Sequence, residues 1–318
     1  MEQNLLEAQD LKIYYRTPTV PVKAVDGINL VIKEKEILGL AGESGCGKST
    51  LANGIIRMIY PPAYFAGGKV LFHGQDLLKM SEEEIRQVRW KKIAFSPQAS
   101  MNSLNPVIKI ISQMQDVMED HDCKKPKQEI RDFTSKIMKS VGLSPQISDG
   151  YACELSGGMK QRVIISMGMT LNPELIIADE PTSSLDVVVQ RGVLELLVEL
   201  KERQGTSVLL VSHDLGILAE VVDRLAIIYA GKILEIQDVY KIFSEPLNPY
   251  TQGLISSIPT FEKQEIPQSI HGLPPNLMEP PLGCRFHPRC PKAMSICKEK
   301  EPELKEIDSG NFVACHLF

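Results

Sequence analysis

Apolar residues along this chain fall into short unbroken runs and longer helical stripes, and the two kinds alternate. Residues 37–41, 93–96, 175–178 and 208–212 are runs of a length suited to buried strands. Helical spacing fills residues 51–59, 106–141 with a polar interruption at 120–127 that includes Pro126, the segment after Gly157-Gly158, and residues 187–203. Strand-like stretches at 11–15, 28–32 and, after a Gly67-Gly68 turn, 69–73 predict an antiparallel layer. Ser81-Glu82-Glu83-Glu84 supplies a capping box for a helix through about residue 90. Alternation of strand and helix predicts an α/β fold, a doubly wound parallel core with a helical segment inserted at about 99–161. Ligands of such cores sit at the C-terminal ends of the strands.

Beyond about residue 237 the pattern breaks. Pro246, Pro249, Pro259, Pro267, Pro274, Pro275, Pro280 and Pro281 argue against long regular elements. They predict a small loop-rich module held by something other than a large core, so the expected division is 1–238 and 239–318.

Composition narrows the partners. The chain has 318 residues, 43% of them hydrophobic, enough for a well-buried core. A formal charge of −5 argues against nucleic-acid binding by phosphate neutralisation. No apolar run approaches the ~20 residues of a membrane-spanning helix, and Met1-Glu2-Gln3-Asn4 lacks the basic start of a secretory signal, so the expected compartment is the cytoplasm. Four of the seven cysteines, Cys284, Cys290, Cys297 and Cys315, cluster near the C-terminus, apart from Cys46, Cys123 and Cys153. In a cytoplasmic protein such a cluster points to zinc or iron–sulfur ligation before disulfides.

Three local patterns carry chemistry. Gly42-Glu43-Ser44-Gly45-Cys46-Gly47-Lys48-Ser49-Thr50 fits the phosphate-binding loop G-x-x-x-x-G-K-[ST], placed between a predicted strand and a predicted helix. Its glycines let backbone N–H groups point at phosphate oxygens, Lys48 reaches the β- and γ-phosphates, Ser49 binds Mg²⁺ and Thr50 adds a phosphate contact. The bland alternative is an ordinary glycine-rich turn. Leu175-Ile176-Ile177-Ala178-Asp179-Glu180 is a buried strand ending in two carboxylates, a Walker B pattern that puts Asp179 near Mg²⁺ and lets Glu180 polarise the attacking water; alone, it reads equally as a solvated strand end. Leu155-Ser156-Gly157-Gly158 opens a helix and offers a second phosphate-facing N-terminus, or a plain N-cap.

Together these residues resemble the ATP-binding subunit of an ABC transporter. Leu155–Arg162 is similar to the family's LSGGQ signature, with Met159 in place of Gln. The resemblance implies a P-loop ATPase core that works as a head-to-tail dimer, in which Ser156, Gly157 and Gly158 of one subunit clamp ATP held by the other. It also implies Gln98 as the Q-loop glutamine contacting Mg²⁺ and water, Ser184-Leu185-Asp186 as the D-loop and His213 as the switch histidine at the γ-phosphate. Tyr15 is expected to stack on adenine, with Tyr14 its rival. The implied reaction is Mg²⁺-assisted ATP hydrolysis, with Glu180 as base and Lys48 and His213 stabilising charge. A soluble ABC ATPase of the translation or DNA-repair kind is the alternative, against which stand a single cassette and the lack of sustained heptads.

Ser103-Leu104-Asn105-Pro106, Asn248-Pro249-Tyr250-Thr251-Gln252-Gly253-Leu254 and Gly283-Cys284-Arg285-Phe286-His287-Pro288-Arg289-Cys290-Pro291 further resemble importers of the dipeptide, oligopeptide and nickel type. That likeness implies a 4Fe–4S cluster on Cys284, Cys290, Cys297 and Cys315, with zinc as the rival metal and His287 and His316 as substitute ligands. It implies a peripheral subunit on the cytoplasmic face of the membrane, with a second ATPase chain, two permease subunits and an extracytoplasmic solute-binding protein as partners, and no nucleic acid. Dipeptides or oligopeptides lead as cargo, ahead of nickel and oligosaccharides.

Overall fold

The computed structural model describes residues 3–98, 103–183, 185–258 and 270–318. It divides into two compact units, Met1–Lys79 with Leu210–Phe318, and Met80–Leu209. Residues 99–102, Ser184, Pro259 and Pro267, which entered the sequence expectations, lie outside the described residues.

The first unit opens with β1 (Asn4–Tyr15), β2 (Val22–Lys33), β3 (Ile37–Ala41), α1 (Lys48–Ile55), β4 (Ala63–Phe72) and β5 (Gln75–Asp76). The expected antiparallel layer is present, in the order β2-β1-β4-β5. Gly67-Gly68, however, is no turn between elements. It lies inside β4, where the register against β1 slips between Gln9↔Lys69 and Lys12↔Gly67. Such a slip is a bulge, and bulges use the same glycine chemistry as turns. Gly68 has φ +89°, and a Cβ there would lie 2.4 Å from the Asp10 carbonyl oxygen.

The second unit contains α2 (Glu82–Val88), β6 (Ile93–Ser96), α3 (Ile110–Asp120), α4 (Lys127–Ser140), α5 (Gly157–Gly168), β7 (Leu175–Asp179) and α6 (Val187–Gln204), and the division falls inside β8 (Ser207–Val211). The capping box forms in both directions: Ser81 N–H donates to Glu84 Oε2 at 2.7 Å and Glu84 N–H donates to Ser81 Oγ at 3.2 Å. The predicted helical stretch breaks at its polar interruption, with α4 starting directly after Pro126, whose fixed φ suits a helix start. β6 and β7 pair in parallel, Ile93 opposite Leu175, and both are buried throughout.

Back in the first unit come α7 (Leu215–Val221), β9 (Arg224–Tyr229), β10 (Lys232–Asp238), α8 (Val239–Ser244), α9 (Pro249–Ser256), α10 (Ile296–Glu299), β11 (Lys305–Asp308) and β12 (Asn311–Val313). The sequence pattern assigns no strand after residue 212, yet the run 225–229 is as apolar as β3 and pairs with it in parallel. The chain then reverses at Ala230-Gly231, both with positive φ, a two-residue hairpin turn. β10 is therefore antiparallel to β9, β12 is antiparallel to β10, and the strands run β11-β12-β10-β9-β3. The strands after β9 extend the expected parallel core into a mixed sheet, because a tight hairpin leaves no length for a crossover helix.

Gly68→Ala should cost about 2 kcal/mol of stability, since alanine is strained at this φ and its methyl meets a carbonyl oxygen. Urea unfolding of the two proteins side by side measures it; an unchanged midpoint would contradict the bulge.

Candidate functional site

The first unit holds the glycine loop. β3 is buried at every position and runs straight into Gly42, and α1 begins at Lys48. Gly47 makes the junction with φ +110°, and a Cβ there would lie 2.1 Å from the Ala24 carbonyl oxygen, so only glycine fits. A Cβ at Gly45 would meet nothing within 4 Å, and Ser44 and Gly45 are exposed: the mouth of the loop is open. The Lys48 ammonium is buried and donates to the Gly42 and Glu43 carbonyls at 2.8 and 3.0 Å. Cys46 is buried beside it, and burial pushes its thiol pKa up. Ser49 and Thr50 lie half-buried on the first turn of α1.

Tyr15 and its rival Tyr14 differ in their hydroxyl partners. Tyr15 Oη and Thr50 Oγ1 are 3.0 Å apart, which ties Tyr15 to the helix that follows the loop. Tyr14 Oη instead donates to Asp26 at 2.6 Å, and burial together with that carboxylate pushes its pKa up. His213 lies exposed just after β8, and its neighbour Ser212 donates its N–H to the Leu40 carbonyl in β3 at 3.2 Å.

In the second unit β7 delivers a buried Asp179 at its tip, followed by Glu180 at φ +48°, a left-handed conformation uncommon outside glycine. Gln98 Nε2 donates to Glu180 Oε2 at 3.1 Å, so the structure brings these two together. Ser156 caps α5, its Oγ accepting from Met159 N–H at 3.4 Å. A Cβ at Gly158 would lie 2.1 Å from Val189, so the second glycine of the signature lets α5 and α6 approach. Asp186 caps α6, accepting from Val189 N–H at 3.0 Å.

Residues 25–183 match the ABC transporter family, and residues 234–297 match the C-terminal region of oligopeptide/dipeptide transporters. The chain belongs to the ABC transporter family. It is 42% identical over 316 residues to the dipeptide transport ATP-binding protein DppD of Caldanaerobacter subterraneus, covering 99% of this chain and 97% of that one. It is 39% identical to the oligopeptide transport ATP-binding protein AppF of Bacillus subtilis, covering 100% and 98%. A solved dimeric bacterial ABC transporter cassette aligns with TM-score 0.67 at 26% identity over 74% of this chain and 98% of that one. A dimeric ATP-binding cassette bound to ADP and Pi in a post-hydrolysis state aligns with TM-score 0.66 at 25% identity, over the same shares. The cassette is an ATPase subunit with a P-loop α/β fold. Among the described residues no helix is long and apolar enough to cross a membrane.

Sequence reasoning missed how the C-terminal segment is tied into the cassette. Glu235 on β10 is fully buried and accepts the N–H groups of Leu247 and Asn248 at 2.8 and 2.9 Å, with Gln237 as a further donor. Asn248 then caps α9, accepting from Tyr250 N–H at 2.9 Å while donating to the Ala314 carbonyl at 3.1 Å. Tyr250 Oη accepts the Glu43 N–H at 3.1 Å, and Arg289 forks onto the Glu43 carboxylate at 2.7 and 2.9 Å. Arg285 donates to Asp26 and to the Ala230 carbonyl. In the sequence, the Asn248-Pro249-Tyr250 and Arg285–Arg289 stretches carry only a resemblance. Their partners Glu43 and Asp26 lie 207 to 259 positions upstream, and no local pattern links them.

The four clustered cysteines line one narrow cavity together with His287 and His316. Burial pushes the Cys284 thiol up to about 11, with Cys297, Cys315 and Cys290 adding to the shift, and burial raises Cys290 and Cys315 as well. Each histidine spends one ring nitrogen on a carbonyl, His287 on Cys284 at 2.9 Å and His316 on Lys300 at 2.8 Å. Among the described residues no three His, Cys, Asp or Glu side chains stand arranged to hold a metal ion. The donor set is present, but the expected metal site is not preformed.

Asn248→Ala should lower stability by about 2 kcal/mol, by removing a helix cap and leaving the buried Ala314 carbonyl without its donor. A denaturant midpoint equal to the parent's would remove Asn248 from this role.

Proposed function

We propose that this cassette powers the uptake of dipeptides or oligopeptides from the cytoplasmic face of the membrane, paired with a second ATPase chain and two permease subunits and served by a solute-binding protein. The reading rests above all on the stretch 234–297, which matches the oligopeptide/dipeptide transporter C-terminal region, and on relatives of nearly equal length named for peptide transport. In this proposal residues 1–238 are the ATPase domain and 239–318 its extension.

The proposed roles follow from the chemistry of each side chain. Tyr15 stacks on adenine, and Gly42, Ser44, Gly45, Cys46, Gly47 and Thr50 line the phosphates through backbone and hydroxyl groups. Lys48 and His213 offset charge on the γ-phosphate. Ser49, Gln98 and Asp179 would hold Mg²⁺, which when bound neutralises the phosphate oxygens. Glu180 accepts a proton from water as its oxygen attacks the γ-phosphorus; the bond to the β-γ bridging oxygen breaks, and ADP and phosphate leave. Ser156, Gly157, Gly158 and Asp186 act on nucleotide held by the partner subunit. Glu180 is supported by its contact with Gln98 and by a left-handed backbone, a kind of strain that clusters at functional sites.

For the reconstituted assembly, a panel of di- and oligopeptides presented by the binding protein should stimulate ATP hydrolysis, and nickel should not; the reverse would overturn the cargo. Glu180→Gln should retain ATP while single-turnover hydrolysis falls at least a hundredfold.

We also propose that Cys284, Cys290, Cys297 and Cys315 hold a 4Fe–4S cluster that cross-links the extension. The support is a set of four thiols around one cavity. Thiols with raised pKa values ionise in such a cavity when a metal takes the charge. Anaerobically purified protein should be brown with four irons per chain; stoichiometric zinc, or neither metal, would refute the cluster.

A further inference from the structure

We propose that Arg289 and Tyr250, in the C-terminal segment, are positioning residues for nucleotide binding, and that Arg289 acts by neutralising a carboxylate built into the phosphate loop. Glu43 is the second residue of that loop, and every polar group it has is engaged. Its N–H donates to Tyr250 Oη at 3.1 Å, its carbonyl accepts from Lys48 at 3.0 Å and from Cys46 N–H at 3.3 Å, and its carboxylate takes both arms of Arg289. The side chain of Arg289 is 6% exposed and that of Glu43 24%, so water screens this pair weakly.

Arg289 is itself fixed. Its Nε donates to the His271 carbonyl at 3.0 Å, its two terminal nitrogens also reach Tyr229 Oη at 3.3 Å and the Ile270 carbonyl at 3.4 Å, and its guanidinium lies 5.7 Å from the Tyr229 ring centre. Tyr229, Tyr250 and Phe286 pack together with ring centres 4.6 to 5.3 Å apart. The guanidinium therefore meets the carboxylate from a rigid base.

A carboxylate beside a triphosphate is a liability, because like charges at close range repel. Paired bidentately with Arg289 it becomes a handle: the loop is gripped by its side chain and its N–H, and its shape is set before nucleotide arrives. Removing Arg289 costs twice, through a looser loop and through an unpaired negative charge.

The inference rests on reading Gly42–Thr50 as the phosphate loop, and Lys48→Ala tests that reading separately. The full chain is titrated with a fluorescent ATP analogue without Mg²⁺, and steady-state ATPase is followed with it. Arg289→Ala should weaken nucleotide binding about tenfold, raising KM more than it lowers kcat. Arg289→Lys should recover only part of this, lacking the planar fork. Combining Arg289→Ala with Glu43→Gln should bind better than Arg289→Ala alone, because the stranded charge is gone. Tyr250→Phe should weaken binding about threefold. Thermal melting confirms folding; if Arg289→Ala fails to fold, the milder Glu43→Gln and Tyr250→Phe variants decide by the same titration. Unchanged affinity in the variants, or an Arg289→Ala loss of equal size with and without Glu43→Gln, overturns the proposal. Should Lys48→Ala bind nucleotide as well as the parent, the loop assignment fails instead.

Discussion

A loop that binds phosphate must turn most of its backbone N–H groups to the ligand, so its own backbone hydrogen bonds are too few to fix its shape. The protein has to hold it by other means, and much of the first unit serves that end. Lys48 bonds the carbonyls of Gly42 and Glu43 from inside the loop, Gly231 N–H meets the Cys46 carbonyl from the β9–β10 turn, and Glu43 is gripped from the C-terminal segment. Gly47 completes the arrangement by its close approach to Ala24. Without these outside contacts, a glycine-rich stretch this open would sample many conformations and lose entropy on binding.

The same logic explains a segment rich in proline and poor in long regular structure. Residues 239–318 are not held mainly by an apolar core of their own. They are held by buried polar groups that each meet several partners: Glu235 with three donors, Asn248 with a helix cap and a distant carbonyl, Arg285 with Asp26. Buried charges of this kind are favourable only when fully partnered, and they demand one arrangement. β12 adds to the edge of β10, with Ile236 opposite Phe312, and covers that edge strand.

Much of this was legible because it is local. The strands at 37–41 and 93–96 follow from unbroken apolar runs, and the phosphate loop, the carboxylate-ended strand and the Ser81 capping box from spacings within a few residues. Gly67-Gly68 was misread because a bulge and a turn share one local signature. The run before Ala230 obeys the same rule as β3 but was not read as a strand, so the antiparallel edge was missed as well. Tyr15 is preferred to Tyr14 from sequence by resemblance alone, since adjacent strand residues face opposite sides; their different hydroxyl partners, Thr50 and Asp26, are not written in any local pattern. The Glu43–Arg289 pair was out of reach, because its members stand 246 positions apart and nothing between them signals the meeting.

That separation bears on how the protein is made. Glu43 emerges in synthesis 246 positions before Arg289, with the whole second unit in between. A long-range contact of this kind forms late, after the chain has closed a large loop. A nascent or prematurely ended chain would carry every residue of the glycine loop yet lack the grip that shapes it. On the proposed role of Arg289, full-strength nucleotide binding waits for residues that follow the whole second unit.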